Sequence, residues 1–116
     1  MINDDHGSQQ LAQSRPAGTS AVSAYSPPVD RRAVVYKIII ANVTGTAANA
    51  SVFIDTDGTT YDQTTALLYA YSIAANTSES MEFEDGFDIG GDANVAVQTG
   101  TGSALTFTVL GRVMDG

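Results

Sequence analysis

The sequence has 116 residues, of which 43% are hydrophobic and 16% charged, and its formal net charge is −8. This length suits one domain, and so apolar a composition is not that of a disordered chain. Nucleic acid and anionic membranes are disfavoured as partners because an acidic surface repels both. The sequence contains no cysteine, which excludes disulfide bonds and thiol catalysis.

Residues 1–19 predict an extended N-terminal arm, because small and polar side chains dominate there. Leu11 is the apolar anchor of this segment, and Arg15 and Pro16 follow it. We expect the arm to extend into solvent or to lie along a neighbouring subunit. The first residues show no basic segment followed by an apolar run, so we expect a protein that is not secreted by the general route.

Residues 20–116 alternate short β-compatible runs with turn clusters, a pattern typical of a sandwich or barrel. One run could form a helical turn near residues 66–68, but the alternation of Leu67, Tyr69, Tyr71 and Ile73 favours a strand. A glycine-rich connection is expected at residues 85–92. The predicted strands are residues 21–25, 33–43, 50–55, 63–71, 79–84, 94–99 and 105–109.

The predicted fold class is therefore all-β: a single antiparallel two-sheet sandwich of seven or eight strands with an N-terminal arm. The sequence shows no helix for a parallel crossover, so the sheets must be mainly antiparallel. Short strands at even spacing suit both a jelly-roll-like and an Ig-like strand order, and the sequence leaves both open.

Two details of the strands can be checked directly. Strict alternation along residues 33–43 predicts that Val34, Tyr36, Ile38 and Ile40 share one face. Gly111 interrupts the last strand pattern and predicts a bulge or a close approach between backbones.

Asp55, Asp57 and Asp62 form the densest acidic cluster around a turn, and Gly58 lies between them. Alternating carboxylates closed by a glycine resemble part of a calcium loop, because calcium prefers several oxygen ligands from a sharply turning backbone. The alternative is a hairpin whose carboxylates shape the turn. No bidentate glutamate follows at the required spacing, which favours the turn, so the three residues stay weak candidates for calcium.

The sequence offers no credible catalytic group, and we expect a protein that is not an enzyme. Glu82 and Glu84 fall on the same outward face of a predicted strand, whereas glycoside hydrolysis needs two carboxylates across a cleft. His6 is the only histidine and lies in the predicted arm, where nothing orients it as a base. Tyr36 and Tyr69 are expected in the core, with their hydroxyls at the rim.

Several segments are distinctive when taken together: LAQSRP (11–16), AYSPP (24–28), RAVV (32–35), IIIAN (38–42), SVFIDTDGTTYDQTTAL (51–67), AANT (74–77), VAVQT (95–99) and ALTFTV (104–109). They resemble small structural proteins of tailed-bacteriophage particles, and the resemblance covers about nine-tenths of the chain.

The resemblance implies a β-sandwich virion protein without catalysis, made in the host cytoplasm. It suggests a capsid decoration (cement) protein that binds the major capsid protein and forms homo-oligomers, with a trimer expected. The interface candidates are Leu11, Arg15, Pro16, Tyr25, Arg31 and Arg32. The alternative is a tail- or fibre-associated module that binds a host surface glycan through exposed tyrosines and the acidic loop.

Overall fold

The computed structural model describes residues 9–28, 30–55, 60–90 and 93–115. No helix among these residues is long and apolar enough to cross a membrane. The strands that they form are β1 Gln9–Ser14, β2 Val22–Tyr25, β3 Arg31–Asn42, β4 Ala48–Asp55, β5 Ala66–Ile73, β6 Ser78–Gly90, β7 Asn94–Thr99 and β8 Leu105–Asp115.

Two four-stranded sheets form the domain. Sheet A has the order β1-β8-β3-β6, and sheet B has the order β2-β7-β4-β5. All paired neighbours run antiparallel. Eight strands in these two orders make a jelly roll. The predicted all-β sandwich is confirmed, and the strand order that the sequence left open is the jelly-roll one.

The core lies between the sheets and is built by the inward face of each central strand. In β8, Leu105, Phe107 and Val109 are fully buried, whereas Thr106 and Thr108 between them are half-buried. This alternation follows from the period of two along a strand. The buried cluster comprises Ala33, Val35, Ile38, Ile40, Ala48, Ala50, Val52, Ile73, Ile89, Ala93, Val95, Val97, Ala104, Leu105, Phe107 and Val109.

A bulge in β3 interrupts the pairing with β8. Val35 pairs with Gly111 and Lys37 pairs with Leu110, so Tyr36 is an extra residue on the β3 side. One extra residue in a strand shifts every later side chain to the opposite face.

The predicted alternation of β3 is therefore wrong on one side of the bulge. Val35 and Ile38 both belong to the core cluster although three positions separate them, and Ile40 follows Ile38 on that face. Val34 does not share the face of Ile38. Both faces of β3 are apolar in the sequence. The pattern therefore did not indicate at which residue the core-facing side chains change from odd-numbered to even-numbered positions.

The β6 strand is longer than predicted. The segment expected to connect strands at residues 85–92 instead continues β6 as far as Gly90. Residues 83–86 lie between the pairs Val35–Phe87 and Lys37–Glu82 and bulge out opposite Tyr36. Gly86 permits this bulge, because its φ is +74° and a β-carbon there would lie 2.4 Å from Val34 Cγ1.

The N-terminal boundary also differs from the one predicted at residue 19. Gln9–Ser14 is strand β1, which pairs with β8 at the edge of sheet A. Gln13 Nε2 adds a hydrogen bond to Thr108 Oγ1 at 2.9 Å, and Leu11 packs against the core. A glutamine-rich segment is thus ordered by pairing with a distant strand. Residues 1–8 of the predicted arm, with His6, lie outside the described residues.

Candidate functional site

The two described carboxylates of the calcium candidate accept hydrogen bonds from the segment that follows β4. Asp55 is buried at the end of β4, and its Oδ2 accepts a hydrogen bond from the backbone N–H of Thr60 at 2.6 Å. Asp62 is exposed, and its Oδ1 accepts the backbone N–H of Thr64 at 2.8 Å and the Thr64 hydroxyl at 2.5 Å. Asp57 lies outside the described residues. Where the side chains are described, no three of His, Cys, Asp and Glu come together as a metal site.

The hydrogen bond from the Thr64 side chain, followed by the one from its backbone, lowers the pKa of Asp62 below its ordinary 3.8. A lowered pKa means that this carboxylate stabilises the fold above pH 3.8 and that its contribution disappears as the pH falls through the folded-state pKa. We expect Asp62→Ala to lower the Tm slightly at pH 7 and to leave it unchanged in strong acid. Thermal melts of both proteins across that pH range test this, and a difference that persists in acid would contradict it.

A second apolar cluster lies on the outer face of sheet B. Phe53 is fully buried although its neighbours Val52 and Ile54 point to the opposite face of β4. Its ring is 6.2 Å from that of Tyr61 and 6.4 Å from that of Tyr69. The chain after β4 therefore folds back over its own sheet and covers the aromatic ring.

Asn94 anchors the same region from β7, where it is the register partner of Asp55. Its buried Nδ2 donates hydrogen bonds to Ser23 Oγ at 2.8 Å and to the Tyr61 hydroxyl. Its Oδ1 is buried without a hydrogen-bond partner in the described part of the chain. These hydrogen bonds connect β2, β7 and the segment after β4. The acidic cluster therefore lies beside contacts that stabilise the fold.

The apolar interface candidates are part of the fold itself. Leu11 and Tyr25 are half-buried and pack against the core cluster, and Pro16 is buried after β1. Among the residues that the structure describes, the buried Tyr25 hydroxyl has no hydrogen-bond partner, and its burial raises the pKa of the phenol above its ordinary 10.0. These side chains stabilise the domain and offer little area to a partner.

The buried Tyr25 hydroxyl gives a testable expectation. A buried polar group without a partner costs about 1 kcal/mol or more, so Tyr25→Phe should raise the free energy of unfolding by about 1 kcal/mol. The raised phenol pKa predicts that wild-type stability falls as the pH rises through 10.0, because the unfolded chain ionises first. Urea unfolding of both proteins at neutral and alkaline pH measures the two effects. A less stable Tyr25→Phe variant would show that the hydroxyl has a partner.

The basic interface candidates lie at opposite ends of sheet A. Arg15 directly follows β1, whereas Arg31 and Arg32 begin β3, and all three are exposed. The β1 and β3 strands run parallel on either side of β8, so the two groups are roughly 30 Å apart at about 3.3 Å per residue. Arg32 forms an ion pair with Asp88 of β6. The three arginines therefore cannot form one basic patch.

The β6 strand carries the acidic surface of sheet A. Glu82 and Glu84 are exposed, as predicted, and Glu82 Oε2 lies 3.6 Å from Lys37 Nζ. Carboxylates along an edge strand disfavour pairing with another chain.

Sheet B carries the features that sequence reasoning missed. Tyr69 was expected in the core, yet it is 52% exposed, with Leu67 (44%) and Tyr71 (46%) on the same strand. The β5 strand is bulged against β4 at Ser51, whose Oγ accepts the N–H of Ala70 at 2.9 Å. The available signal was the composition of β5, which contains no charged residue.

A shallow pocket of about 190 Å³ lies beside Tyr69. Its walls are neutral hydroxyl, amide and backbone groups: Thr19, Asn49, Ser51, Tyr69, Ala70, Gln98, Thr99 and Gly100. Gln98 Nε2 donates to the carbonyl of Thr19 at 2.9 Å, which joins the segment after β1 to β7. Such a pocket suits an uncharged polar ligand, with the Tyr69 ring as an apolar wall.

No protein-family model and no curated protein matches the chain. Among solved structures, it is similar to a chain of infectious bursal disease virus, Gt strain, with 12% identity, a TM-score of 0.45 and coverage of 94% of this chain. The Gx strain gives 14% identity, a TM-score of 0.41 and the same coverage. This chain spans only 33% and 38% of the length of those two chains.

It is also similar to the coat protein of tobacco streak virus, described as a dimer, with 10% identity and a TM-score of 0.37. There the alignment covers 90% of this chain and 80% of the coat protein. Because these identities and TM-scores are low, the surfaces of this chain, rather than these proteins, decide which function can be proposed.

Proposed function

We propose that this chain is a non-enzymatic virion protein, a decoration (cement) protein that binds the major capsid protein on the head shell of a tailed bacteriophage. The observation that supports it is the jelly-roll strand order, with sheet A as β1-β8-β3-β6 and sheet B as β2-β7-β4-β5. Jelly rolls are used repeatedly as viral capsid and lectin domains. Fold alone does not determine function, so the surfaces must also suit the role.

The surfaces suit attachment to protein. The Asp55 and Asp62 carboxylates accept hydrogen bonds within the connection between β4 and β5, and the acidic β6 strand is a solvated edge. A decoration protein acts through many repeated weak contacts on a symmetric shell, where a small rigid domain gives high overall avidity. A net charge of −8 also keeps such a protein away from the packaged genome.

The direct test is the copy number in purified particles of the virus that encodes the chain, measured by quantitative mass spectrometry against the major capsid protein. A fixed ratio, with the protein located on the head by cryo-electron microscopy, is expected. Absence from the particles would overturn the proposal.

The structure also allows a test of which end of the sandwich contacts the shell. Purified protein is added to particles that lack it, and Arg15→Glu and Arg31→Glu are compared in separate experiments. Because these arginines lie at opposite ends of sheet A, a shell contact at one end should be weakened by only one of the substitutions. If both variants bound the particles as tightly as the wild type does, neither end would be the contact.

The pocket beside Tyr69 favours a second candidate, a tail- or fibre-associated module that binds a host surface glycan. Amide side chains of Asn49 and Gln98 can hydrogen-bond sugar hydroxyls, and the tyrosine ring can pack against a sugar face. A glycan array with the wild type and with Asn49→Ala tests it. Binding that Asn49→Ala abolishes, together with a low copy number confined to the tail, would favour this function over decoration.

A further inference from the structure

The pocket beside Tyr69 opens on the outer face of sheet B. Ser51, one of its lining residues, lies between Ala50 and Val52, which belong to the core cluster. The Ser51 side chain therefore points away from the core, because successive side chains of a strand alternate between its faces. Ser51 is the register partner of Gln98 on β7, and these two side chains form the floor of the pocket.

A bulge in β5 places an aromatic ring beside this floor. Leu68 and Tyr71 of β5 pair with β4, and the two residues between them, Tyr69 and Ala70, lie opposite a single residue of β4. Two residues opposite one make a bulge, which changes the direction of the side chains. Tyr69 points to the outer face, where its ring centroid is 6.4 Å from that of Phe53. The bulge thus supplies the aromatic wall of the pocket.

The backbone at the bulge is strained. Ala70 has a φ of +52°, in the left-handed region that residues other than glycine rarely adopt. The Ala70 N–H donates a hydrogen bond to Ser51 Oγ at 2.9 Å, which holds this conformation. Strained backbone persists only where the surrounding structure enforces it, and it concentrates at active sites and ligand clamps. The strain and the cavity are separate observations, and both fall on the same residues.

The walls of the pocket offer hydrogen-bonding groups without charge. Asn49 presents an exposed amide. Gln98 Nε2 donates to the carbonyl of Thr19 at 2.9 Å, which directs an amide with a further acceptor, Oε1, at this position. Neutral groups cannot compensate an ionic ligand for its lost hydration, and a net charge of −8 disfavours anions further. The ligand that fits is therefore polar and uncharged.

Size and shape restrict the ligand to one ring. The volume of about 190 Å³ is below the roughly 300 to 1,000 Å³ of pockets that hold drug-sized molecules. A peptide would need an extended groove or a straight strand edge, whereas register shifts on both sides of Val52 interrupt the β5 edge. A pyranose sugar combines ring hydroxyls with an apolar face of C–H groups, and it suits both the amides and the tyrosine ring.

We propose that this pocket binds a single uncharged pyranose, with Asn49 and Gln98 hydrogen-bonded to its hydroxyls and the Tyr69 ring against its C–H face. Such a site rests on the glycan-binding candidate function and specifies its ligand class, which excludes sialic acid and sulfated sugars.

The test is an NMR titration of the nitrogen-15-labelled full chain with the methyl glycosides of glucose, galactose, mannose and N-acetylglucosamine. At least one of them should shift the backbone amides of Ala70, Gln98 and Gly100 saturably. The expected dissociation constant is about 1 mM, because each hydrogen bond to the sugar replaces one to water. N-acetylneuraminic acid, which is negatively charged, should leave the same amides unshifted.

Variants locate the binding. Asn49→Ala should weaken it about tenfold, since one amide can both donate and accept a hydrogen bond. Gln10→Ala is the matched control, because Gln10 is an exposed amide on β1 in the other sheet, and it should bind like the wild type. Tyr69→Ala should abolish the shifts. The dispersion of its NMR spectrum shows whether this variant is folded, and Asn49→Ala decides the matter if it is not.

Four results would each contradict the site: no saturable shift with any uncharged sugar, shifts confined to other surfaces, equal binding of N-acetylneuraminic acid, or unchanged affinity of Asn49→Ala. An acidic glycan that binds on an array without shifting the pocket amides would retain the glycan-binding candidate and overturn this pocket. Copy number in particles is measured separately, so decoration of the head can fail while the sugar site stands, or the reverse.

Discussion

Gly111→Ala is expected to destabilise the domain by about 3 kcal/mol, near the upper end of what overpacking costs. A β-carbon at this position would lie 2.0 Å from the backbone oxygen of Val34 and 3.0 Å from Leu11 Cδ1. The backbone oxygen cannot move without breaking the β3–β8 ladder beside the bulge at Tyr36. Urea unfolding at neutral pH measures the loss, and the midpoint should fall while the slope stays unchanged.

Gly45→Ala is the matched control for Gly111→Ala. Gly45 is exposed in the β3–β4 connection, and a β-carbon there would meet nothing within 4 Å. Its replacement should leave stability unchanged or raise it slightly, because alanine restricts the unfolded chain. Equal losses for the two variants would mean that chain flexibility, rather than the close approach of β8 to β3, explains the effect.

Gly111 also shows what the sequence could predict. The interruption of the last strand by glycine indicated a close backbone approach, and the contact with Val34 confirms it. The alternation of Leu105, Phe107 and Val109 likewise placed these side chains in the core, because a strand with one buried face must repeat every second residue.

The misplaced features depend on contacts that are distant in sequence. Tyr36 is a bulge only relative to β8, and no local pattern marks the extra residue. Gln9–Ser14 has a weak strand composition and is ordered by its pairing with β8, about a hundred residues later in the chain. Tyr69 is a large aromatic residue in an apolar run, which favours a core position, but it lies on an edge strand and half of its surface is exposed.

In the candidate site, too, features that depend on local sequence differ from features that depend on distant contacts. Asp55 ends β4 and Asp62 lies in the connection that follows, and both carboxylates accept hydrogen bonds from residues close by in the sequence, Thr60 and Thr64. The strands of sheet B contain one charged residue, Asp55, and the strands of sheet A contain the others, and this division could not be predicted from the sequence. It depends on which strands share a sheet, and the jelly-roll order determines that.

Asn42→Ala should also cost about 3 kcal/mol, because this buried side chain joins two loops at the end of the sandwich that holds the β3–β4 connection. Its Nδ2 donates to the carbonyls of Thr46 at 2.9 Å and Ile73 at 3.0 Å. Its Oδ1 accepts the backbone N–H of Thr44 at 2.9 Å and the Thr44 hydroxyl at 2.7 Å. Alanine removes all four bonds and leaves the Ile73 carbonyl buried without this donor.

Two further variants separate the hydrogen bonds of Asn42 from the bulk of its side chain. Asn42→Asp keeps the acceptor for Thr44 but loses both donors and buries a charge, so its deficit should be largest at neutral pH and shrink in acid, where the protonated carboxyl can donate once. Asn49→Ala truncates an exposed asparagine of β4, in the other sheet, and should leave the unfolding midpoint nearly unchanged. If Asn42→Ala proved as stable as Asn49→Ala, the loops would be held by the backbone bonds alone, including those from Asn42 N–H to Thr77 and from Val43 N–H to Ala104.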